Sequence, residues 1–222
     1  MVQNRDKLII SKSTTLKFHI KRLLKSQSIL IDLLSIIKSF LVFKYKTIIS
    51  LKVNYKNNGK IISIGPSHIG FCSNYMNLDI NAAGVFRIYK SGTVVLNPFV
   101  RISRTCKVYV SGKLEIGQST YINPNTLIIS NHDVKIGANC AISWNVQIID
   151  DDFHSINNNV SKDSISIGDK VWIGSDVKII KGAKIGNGCV IAANSLVIGV
   201  VPPNSLVGGI PAKILKSDVV WS

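Results

Sequence analysis

One histidine follows three consecutive aspartates in the stretch D-D-D-F-H-S-I, residues 150–156. A histidine has an ordinary pKa near neutrality, so His154 can take a proton from a substrate group and return it at physiological pH. A carboxylate on its other ring nitrogen would hold the imidazole in one tautomer. Asp150, Asp151 and Asp152 are all open candidates for that task. His154 is therefore our candidate general base, and the alternative is a surface histidine without a catalytic role.

The elements that must position this histidine belong to a six-residue repeat. Lead aliphatic residues recur at intervals of six, at Ile167, Ile173, Ile179, Ile185, Ile191 and Val197. A small or β-branched residue follows each of them by four positions, at Val171, Val177, Ala183, Cys189, Ser195 and Val201. A period of six does not match the 3.6-residue turn of an α-helix. It predicts short β-segments joined by turns, whose inward side chains stack on those of the next coil.

The repeat is interrupted where His154 lies. The doublets L-E-I-G (114–117), V-K-I-G (134–137) and I-S-I-G (165–168) shift the register by two residues. The longest interruption separates Ile148 from Ile165. Residues 150–164 are therefore expected to form a loop that projects from the wall, and long loops on rigid scaffolds commonly carry function.

Three passages of the sequence resemble the hexapeptide-repeat acyltransferases. They are D-D-D-F-H-S-I, I-G-D-K-V-W-I-G-S at 167–175, and V-P-P-N-S-L-V-G-G-I-P-A-K-I-L-K at 201–216. Within that family the chain is most similar to the maltose and galactoside acetyltransferases and to O-acetyltransferases of bacterial surface polysaccharides. The resemblance implies an all-β fold, a left-handed parallel β-helix, over residues 60–215. A basic, largely helical segment (1–59) would precede it and a short tail (216–222) would follow.

The resemblance also implies a reaction. An acetyl group would pass from acetyl-CoA to a hydroxyl of a saccharide, a capsular or lipopolysaccharide-type glycan, with His154 as the base. Trp172, which the six-residue repeat places on the outer surface, would line the cleft that binds acetyl-CoA. The backbone N–H of Ser175 would stabilise the thioester oxygen, and the backbone of Ala193 would bind the pantetheine amide.

Further site residues follow from the same resemblance. Lysines expected to meet the phosphates of coenzyme A are Lys181, Lys213 and Lys216. Residues at the acceptor-binding positions are Asn123 and Asn131. The chain has Ile198-Gly199 where many relatives have Thr-Lys, which removes one expected coenzyme A contact. Because one narrow prism offers only a shallow wall, the resemblance further implies a homotrimer with clefts between subunits.

The cysteine pattern does not favour a metal site. The four cysteines, at positions 72, 106, 140 and 189, form no C-x-x-C pair, so we expect reduced, buried thiols and no bound metal. Three other functions stay open. They are N-acetylation of an amino-sugar nucleotide, a non-catalytic polymer-binding scaffold, and a metal-dependent hydratase that would need His68, His132 and His154 as ligands.

Positive charge is concentrated near the N-terminus. Residues 1–60 hold 13 of the 27 lysines and arginines, against Asp6 and Asp32. Residues 16–43 predict a helix that caps the repeat, or alternatively rests on an anionic membrane or acidic glycan. Nothing favours nucleic acid. The apolar run 29–43 is too short to span a bilayer and no signal peptide is recognisable, so we expect a cytoplasmic protein, with peripheral contact at the inner membrane face as the alternative.

Overall fold

The computed structural model describes residues 47–50, 53–70, 83–157 and 159–222. These residues form 25 β-strands. In chain order the strands are β1 (Thr47–Ile49), β2 (Val53–Asn57), β3 (Lys60–Ser63), β4 (Ser67–Ile69), β5 (Gly84–Ile88), β6 (Thr93–Leu96), β7 (Arg101–Ile102), β8 (Lys107–Val110), β9 (Lys113–Ile116), β10 (Tyr121–Ile122), β11 (Leu127–Ser130), β12 (Asp133–Ile136), β13 (Ala141–Ile142), β14 (Gln147–Ile149), β15 (Asp151–Ile156), β16 (Asn159–Lys162), β17 (Ile165–Ile167), β18 (Trp172–Ile173), β19 (Lys178–Ile180), β20 (Lys184–Ile185), β21 (Val190–Ile191), β22 (Leu196–Val197), β23 (Val200–Val201), β24 (Leu206–Gly209) and β25 (Ala212–Lys216).

Three sheets form the walls of a prism. Wall A has the strand order β1-β4-β7-β10-β13-β18-β21-β24-β25, wall B has β2-β5-β8-β11-β14-β19-β22, and wall C has β3-β6-β9-β12-β17-β20-β23. The chain runs from wall A to wall B to wall C and back to wall A, so its turns lie at the A–B, B–C and C–A corners. Neighbouring strands are parallel except for β24 and β25 at the end of wall A. The predicted all-β coil is confirmed.

The core explains the period of six. The lead aliphatic residues all point inward and are buried: Ile167, Ile173, Ile179, Ile185, Ile191 and Val197. Burial of each isoleucine side chain contributes on the order of 1.5–3 kcal/mol to the free energy of unfolding. The small position near each corner holds the buried cysteines Cys106, Cys140 and Cys189, while Cys72 lies outside the described residues. The inward stack is thus continuous from coil to coil.

The length of a coil changes along the prism. Tyr121 pairs with both Arg101 and Ala141, so coils in this part contain 20 residues. Trp172 pairs with Val190, which is only 18 residues further on. The extra residues of the longer coils lie in the four-residue wall C strands β9 and β12, where the sequence doublets predicted a shift of two.

The predicted loop 150–164 is a β-hairpin. Strands β15 and β16 pair in antiparallel fashion, with Ser155 opposite Val160. The hairpin leaves the prism between β14 on wall B and β17 on wall C, that is, at the B–C corner. This insertion explains why Ala141 and Trp172, which are 31 residues apart in sequence, are adjacent on wall A.

The N-terminal boundary differs from the predicted one at residue 60. Strands β1 and β2 already stack on walls A and B, because Ile48, Ile49 and Val53 supply the buried aliphatic side chains of a further coil. The predicted helix over 16–43 lies outside the described residues. Among the residues that are described, no helix is long and apolar enough to cross a membrane.

Candidate active site

The first of the three aspartates attaches the hairpin to the prism. Asp150 is buried, and its carboxylate accepts the backbone N–H groups of Asn131 at 2.8 Å and His132 at 2.9 Å. Both donors lie at the B–C corner of the preceding coil. Burial raises the pKa of Asp150, and the N–H donors offset only part of this effect. Asp150 therefore joins the base of the hairpin to the coil beneath it.

The other two aspartates hold the hairpin in two further directions. Asp151 accepts the N–H of Phe153 at 2.8 Å and the side-chain amide of Asn131 at 3.0 Å. These contacts, chiefly the Phe153 N–H, lower the pKa of Asp151. Asp152 forms an ion pair with Lys181 at 3.0 Å, and Lys181 lies at the B–C corner of the following coil. The hairpin is thus bound to the coils on both sides of it.

His154 projects from this anchored base. Its side chain is exposed, and among the described residues no side chain forms a hydrogen bond or ion pair with its ring. None of the three candidate aspartates pairs with His154 in the structure, because the carboxylates of Asp150, Asp151 and Asp152 are all engaged elsewhere. The imidazole is left open toward solvent.

A second group of predicted residues lies on wall A and at the A–B corner. Trp172 is 44% exposed on β18, and its indole N–H donates to the Ser143 hydroxyl at 3.4 Å. Ser175 and Ala193 occupy the same corner position in successive coils, because the N–H of Asn194 donates to the carbonyl of Ser175 at 2.9 Å. As predicted from the pattern, Trp172 faces outward.

Two backbone N–H groups of this corner have no acceptor among the described residues. Within the described residues, neither the N–H of Ser175 nor that of Ala193 donates to a protein acceptor. The next residues, Asp176 and Asn194, have positive φ angles of 61° and 59°, a conformation that aspartate and asparagine tolerate better than most residues. Two unpaired donors, one in each of two successive coils and so about 5 Å apart, the spacing of adjacent strands, therefore lie at the corner.

The two predicted acceptor-binding asparagines lie apart. Asn123 is half-buried at the A–B corner, where its backbone carbonyl accepts the Cys106 thiol at 3.2 Å. Asn131 is at the B–C corner, and its side chain accepts the Ser111 hydroxyl at 2.6 Å besides donating to Asp151. The Asn131 side chain thus supports the hairpin, whereas Asn123 lies at the same A–B corner as Ser175.

The three predicted coenzyme A lysines also separate. Lys213 and Lys216 are exposed on β25, at the end of wall A. Lys181 is at the B–C corner, paired with Asp152. The only cations of this set on the same wall as Trp172 are therefore Lys213 and Lys216.

The candidate site consists of two groups at different corners of the prism. The B–C group contains Asn131, Asp151, Asp152, His154 and Lys181. The A–B group, with the adjoining wall A, contains Asn123, Trp172, Ser175 and Ala193. Wall B separates the two groups, and the Asp152–Lys181 ion pair keeps the hairpin at its own corner. A single prism does not bring His154 to the unpaired N–H groups.

The three histidines of the hydratase alternative do not converge. His68 is buried on β4, whereas His132 and His154 are exposed at the B–C corner. Within the described ranges, no cluster of three or more His, Cys, Asp or Glu side chains is arranged to hold a metal ion. The arrangement of these residues therefore does not support a three-histidine site.

Known proteins match both the repeat and the larger part of the chain. The bacterial transferase hexapeptide family (six repeats) matches residues 164–199. A galactoside O-acetyltransferase of Escherichia coli is 35% identical over 117 residues, which are 49% of this chain and 57% of the relative. An uncharacterized 24.8 kDa protein in the cps region of Klebsiella pneumoniae is 34% identical over 193 residues, 82% of this chain and 83% of the relative. The chain belongs to the hexapeptide-repeat acetyltransferases.

Solved structures of hexapeptide-repeat acetyltransferases share the fold. The polysialic acid O-acetyltransferase OatWY superposes with a TM-score of 0.55 at 22% identity, over 79% of this chain and 86% of that one. The predicted left-handed parallel β-helix is therefore confirmed. The match to the galactoside enzyme spans less than two thirds of that relative's length, so its acceptor is not transferred to this chain on similarity alone.

Three residues near the site of this hexapeptide-repeat acetyltransferase have contacts that were not predicted from the sequence. Asp150 was grouped with its neighbours, although it alone is fully buried. Trp144 is 38% exposed at the A–B corner, one coil before Ser175. Trp221 packs against Trp172 with ring centroids 6.1 Å apart. The repeat register could have found Trp144, but no local signal reveals the contact of Trp221.

Replacing Asp150 with alanine is expected to lower the free energy of unfolding by about 1–3 kcal/mol, because two N–H groups lose their charged acceptor. Urea denaturation of the purified variant would measure the change. Asp152→Ala is the matched control, and it should cost less than about 1 kcal/mol because it removes only a surface ion pair. Equal losses in the two variants would contradict an anchoring role for Asp150.

Proposed function

We propose that this acetyltransferase transfers an acetyl group from acetyl-CoA to a hydroxyl of a saccharide, in a capsular or lipopolysaccharide-type glycan. The observation that carries the proposal is the pair of unpaired N–H groups of Ser175 and Ala193 beside the exposed Trp172. One donor suits a thioester oxygen that gains negative charge, and the other suits an amide of the pantetheine arm.

The reaction proceeds by direct attack. His154 takes the proton of the acceptor hydroxyl while the hydroxyl oxygen forms a bond to the thioester carbonyl carbon. The carbonyl oxygen becomes negative and accepts the N–H of Ser175. The C–S bond then breaks, the proton on His154 passes to the sulfur, and the products are the acetyl ester and free coenzyme A.

The described cysteines favour direct attack over an acetyl-enzyme. The thiols of Cys140 and Cys189 point into the prism, where they contact the carbonyls of Gly168 at 3.2 Å and Pro202 at 2.9 Å. Burial raises the pKa of both thiols. Because the thiolate is the nucleophile, a buried thiol with a raised pKa is a poor acetyl acceptor.

The acceptor class rests on the galactoside O-acetyltransferase relative and on the relative from a cps region. Purified protein should release coenzyme A from acetyl-CoA when supplied with the correct mono- or oligosaccharide, and a thiol reagent would follow the release. Amino-sugar nucleotides belong in the same screen. Faster release with their amines than with any hydroxyl acceptor would replace this proposal with N-acetylation, and no release with either class would sink it.

The complete site requires more than one subunit. His154 is anchored at the B–C corner, whereas the N–H donors lie at the A–B corner of the same prism. In a cyclic homotrimer each subunit presents one surface to a different surface of the next, so the B–C corner of one can face the A–B corner of its neighbour. We propose that three such clefts form the working enzyme.

Mixed oligomers provide a test of shared clefts. His154→Ala subunits and Ser175→Pro subunits, each inactive alone, should recover about a quarter of wild-type turnover when co-expressed in equal amounts, since that fraction of heterologous interfaces receives both intact groups. Differently tagged subunits and tandem purification would isolate the mixed trimers, and their turnover should be about a third of wild type, because one of the three clefts in each is complete. Co-expression of His154→Ala with His154→Gln should recover nothing, and failure of the first pair to exceed this control would contradict shared clefts.

A further inference from the structure

The C-terminal tail follows one corner of the prism back toward Trp172. The N–H of Val219 donates to the carbonyl of Asn204 at 2.9 Å, and the indole N–H of Trp221 donates to the carbonyl of Lys170 at 2.8 Å. Asn204 and Lys170 both lie at the C–A corner, in different coils, because each is in the turn that connects wall C to wall A. The tail therefore passes from the last coil toward the one that contains Trp172.

At the end of this path two indole rings meet. The centroids of Trp172 and Trp221 are 6.1 Å apart and their planes are inclined by 49°, within the range of a favourable tilted aromatic pair. The indole N–H of Trp172 also donates a long hydrogen bond to the Ser143 hydroxyl, at 3.4 Å. Trp221 is thus in place to limit the orientations that the exposed Trp172 ring can adopt.

The tail contributes little to the core of the prism. Trp221 is absent from the cluster of buried aliphatic residues, and the preceding Val220 is 90% exposed. Val219 is half-buried, so the side chains of the tail alternate between the prism and solvent. Trp221 lies on the prism side and packs against Trp172, a residue of the candidate cleft.

We propose that Trp221 is a positioning residue that holds Trp172 in the orientation that binds acetyl-CoA. This inference rests on the proposed function, in which Trp172 lines the cleft for the donor. Trp221 contacts Trp172 from the C–A side, whereas the N–H donors of Ser175 and Ala193 lie on the A–B side. In the proposed cleft the pantetheine arm reaches Trp172 from the side of those donors.

The test measures coenzyme A binding by titration calorimetry, a readout that does not need the acceptor. Trp221→Ala should weaken binding about two- to tenfold, the range that corresponds to a lost aromatic pair. It should raise KM for acetyl-CoA by a similar factor and leave kcat nearly unchanged. Val220→Ala is the matched control in the same tail, and it should bind coenzyme A like the wild type.

Trp172→Ala and the double variant separate positioning from an independent effect. If Trp221 acts through Trp172, removing it from the Trp172→Ala protein should cause no further loss of affinity. Additive losses, or a Trp221→Ala protein that binds like Val220→Ala while Trp172→Ala is impaired, would overturn this inference alone. Unchanged binding by Trp172→Ala would instead overturn the donor cleft of the proposed function, and this inference with it.

Discussion

Replacing His154 with alanine is expected to lower kcat by about 10²–10⁴-fold, the usual contribution of a general base. The exposed imidazole has no partner among the described side chains, so its loss leaves no buried group unsatisfied. The hairpin projects from the stacked core, and folding should persist. Steady-state kinetics with acetyl-CoA and the acceptor found in the screen would measure the loss of turnover, and circular dichroism would check the fold.

Two further variants serve as controls for His154→Ala. Ser155→Ala changes the next exposed residue of the same hairpin and should keep wild-type turnover. Lys213→Ala should raise KM for acetyl-CoA at nearly constant kcat, because it removes a binding contact and not the base. If His154→Ala keeps more than about a tenth of wild-type kcat, above the range for a lost base, His154 is not the base.

Replacing Ser175 with proline is expected to lower kcat by about 10²–10³-fold, the typical cost of losing one oxyanion donor. Proline has no backbone N–H, so this substitution deletes the proposed donor itself. The coil can accept it, because Pro124 occupies the equivalent corner position two coils earlier. The same backbone hydrogen bond identifies this position in each coil, because its carbonyl oxygen accepts an N–H from the next coil. The carbonyl of Pro124 accepts from Asn145 at 3.2 Å, that of Trp144 from Asp176 at 3.0 Å, and that of Ser175 from Asn194 at 2.9 Å.

Ser175→Ala is the matched control, since it removes the hydroxyl and keeps the N–H. It should turn over at close to the wild-type rate, and thermal unfolding would confirm that the proline variant is folded. Similar losses in both variants would assign the effect to the side chain and contradict the backbone donor. Wild-type kcat in the proline variant would remove Ser175 from the oxyanion site.

Much of the fold could be predicted from the sequence because the inward aliphatic residues recur at a regular spacing. Each wall needs an inward aliphatic residue such as Ile173, so a spacing of six residues indicates that the chain passes from one wall to the next. The burial of Ile173, Ile179 and Ile185, one on each wall, confirms this. The outward direction of Trp172 followed from the inward direction of its neighbours, because side chains alternate along a strand. The interruption between Ile148 and Ile165 likewise had to leave the prism.

Contacts between coils could not be predicted from the sequence, because they join residues that are far apart in it. The three consecutive aspartates look equivalent as letters, yet Asp150 is bonded to the backbone of the coil before and Asp152 to Lys181 in the coil after. The prediction that one of the three aspartates orients His154 could not take account of these partners in other coils. The approach of Trp221 to Trp172, 49 residues earlier, is of the same kind.

The sequence by itself therefore determined the β-helix, the site of the projecting hairpin and the residue types available for chemistry. These depend on local alternation and on a repeat that is visible along the chain. Only the tertiary structure decided that His154 and the N–H donors of Ser175 and Ala193 lie at different corners. The corner at which a residue lies depends on the number of residues in every turn and insertion before it. For the inserted hairpin, it also depends on the contacts that distant residues make with it.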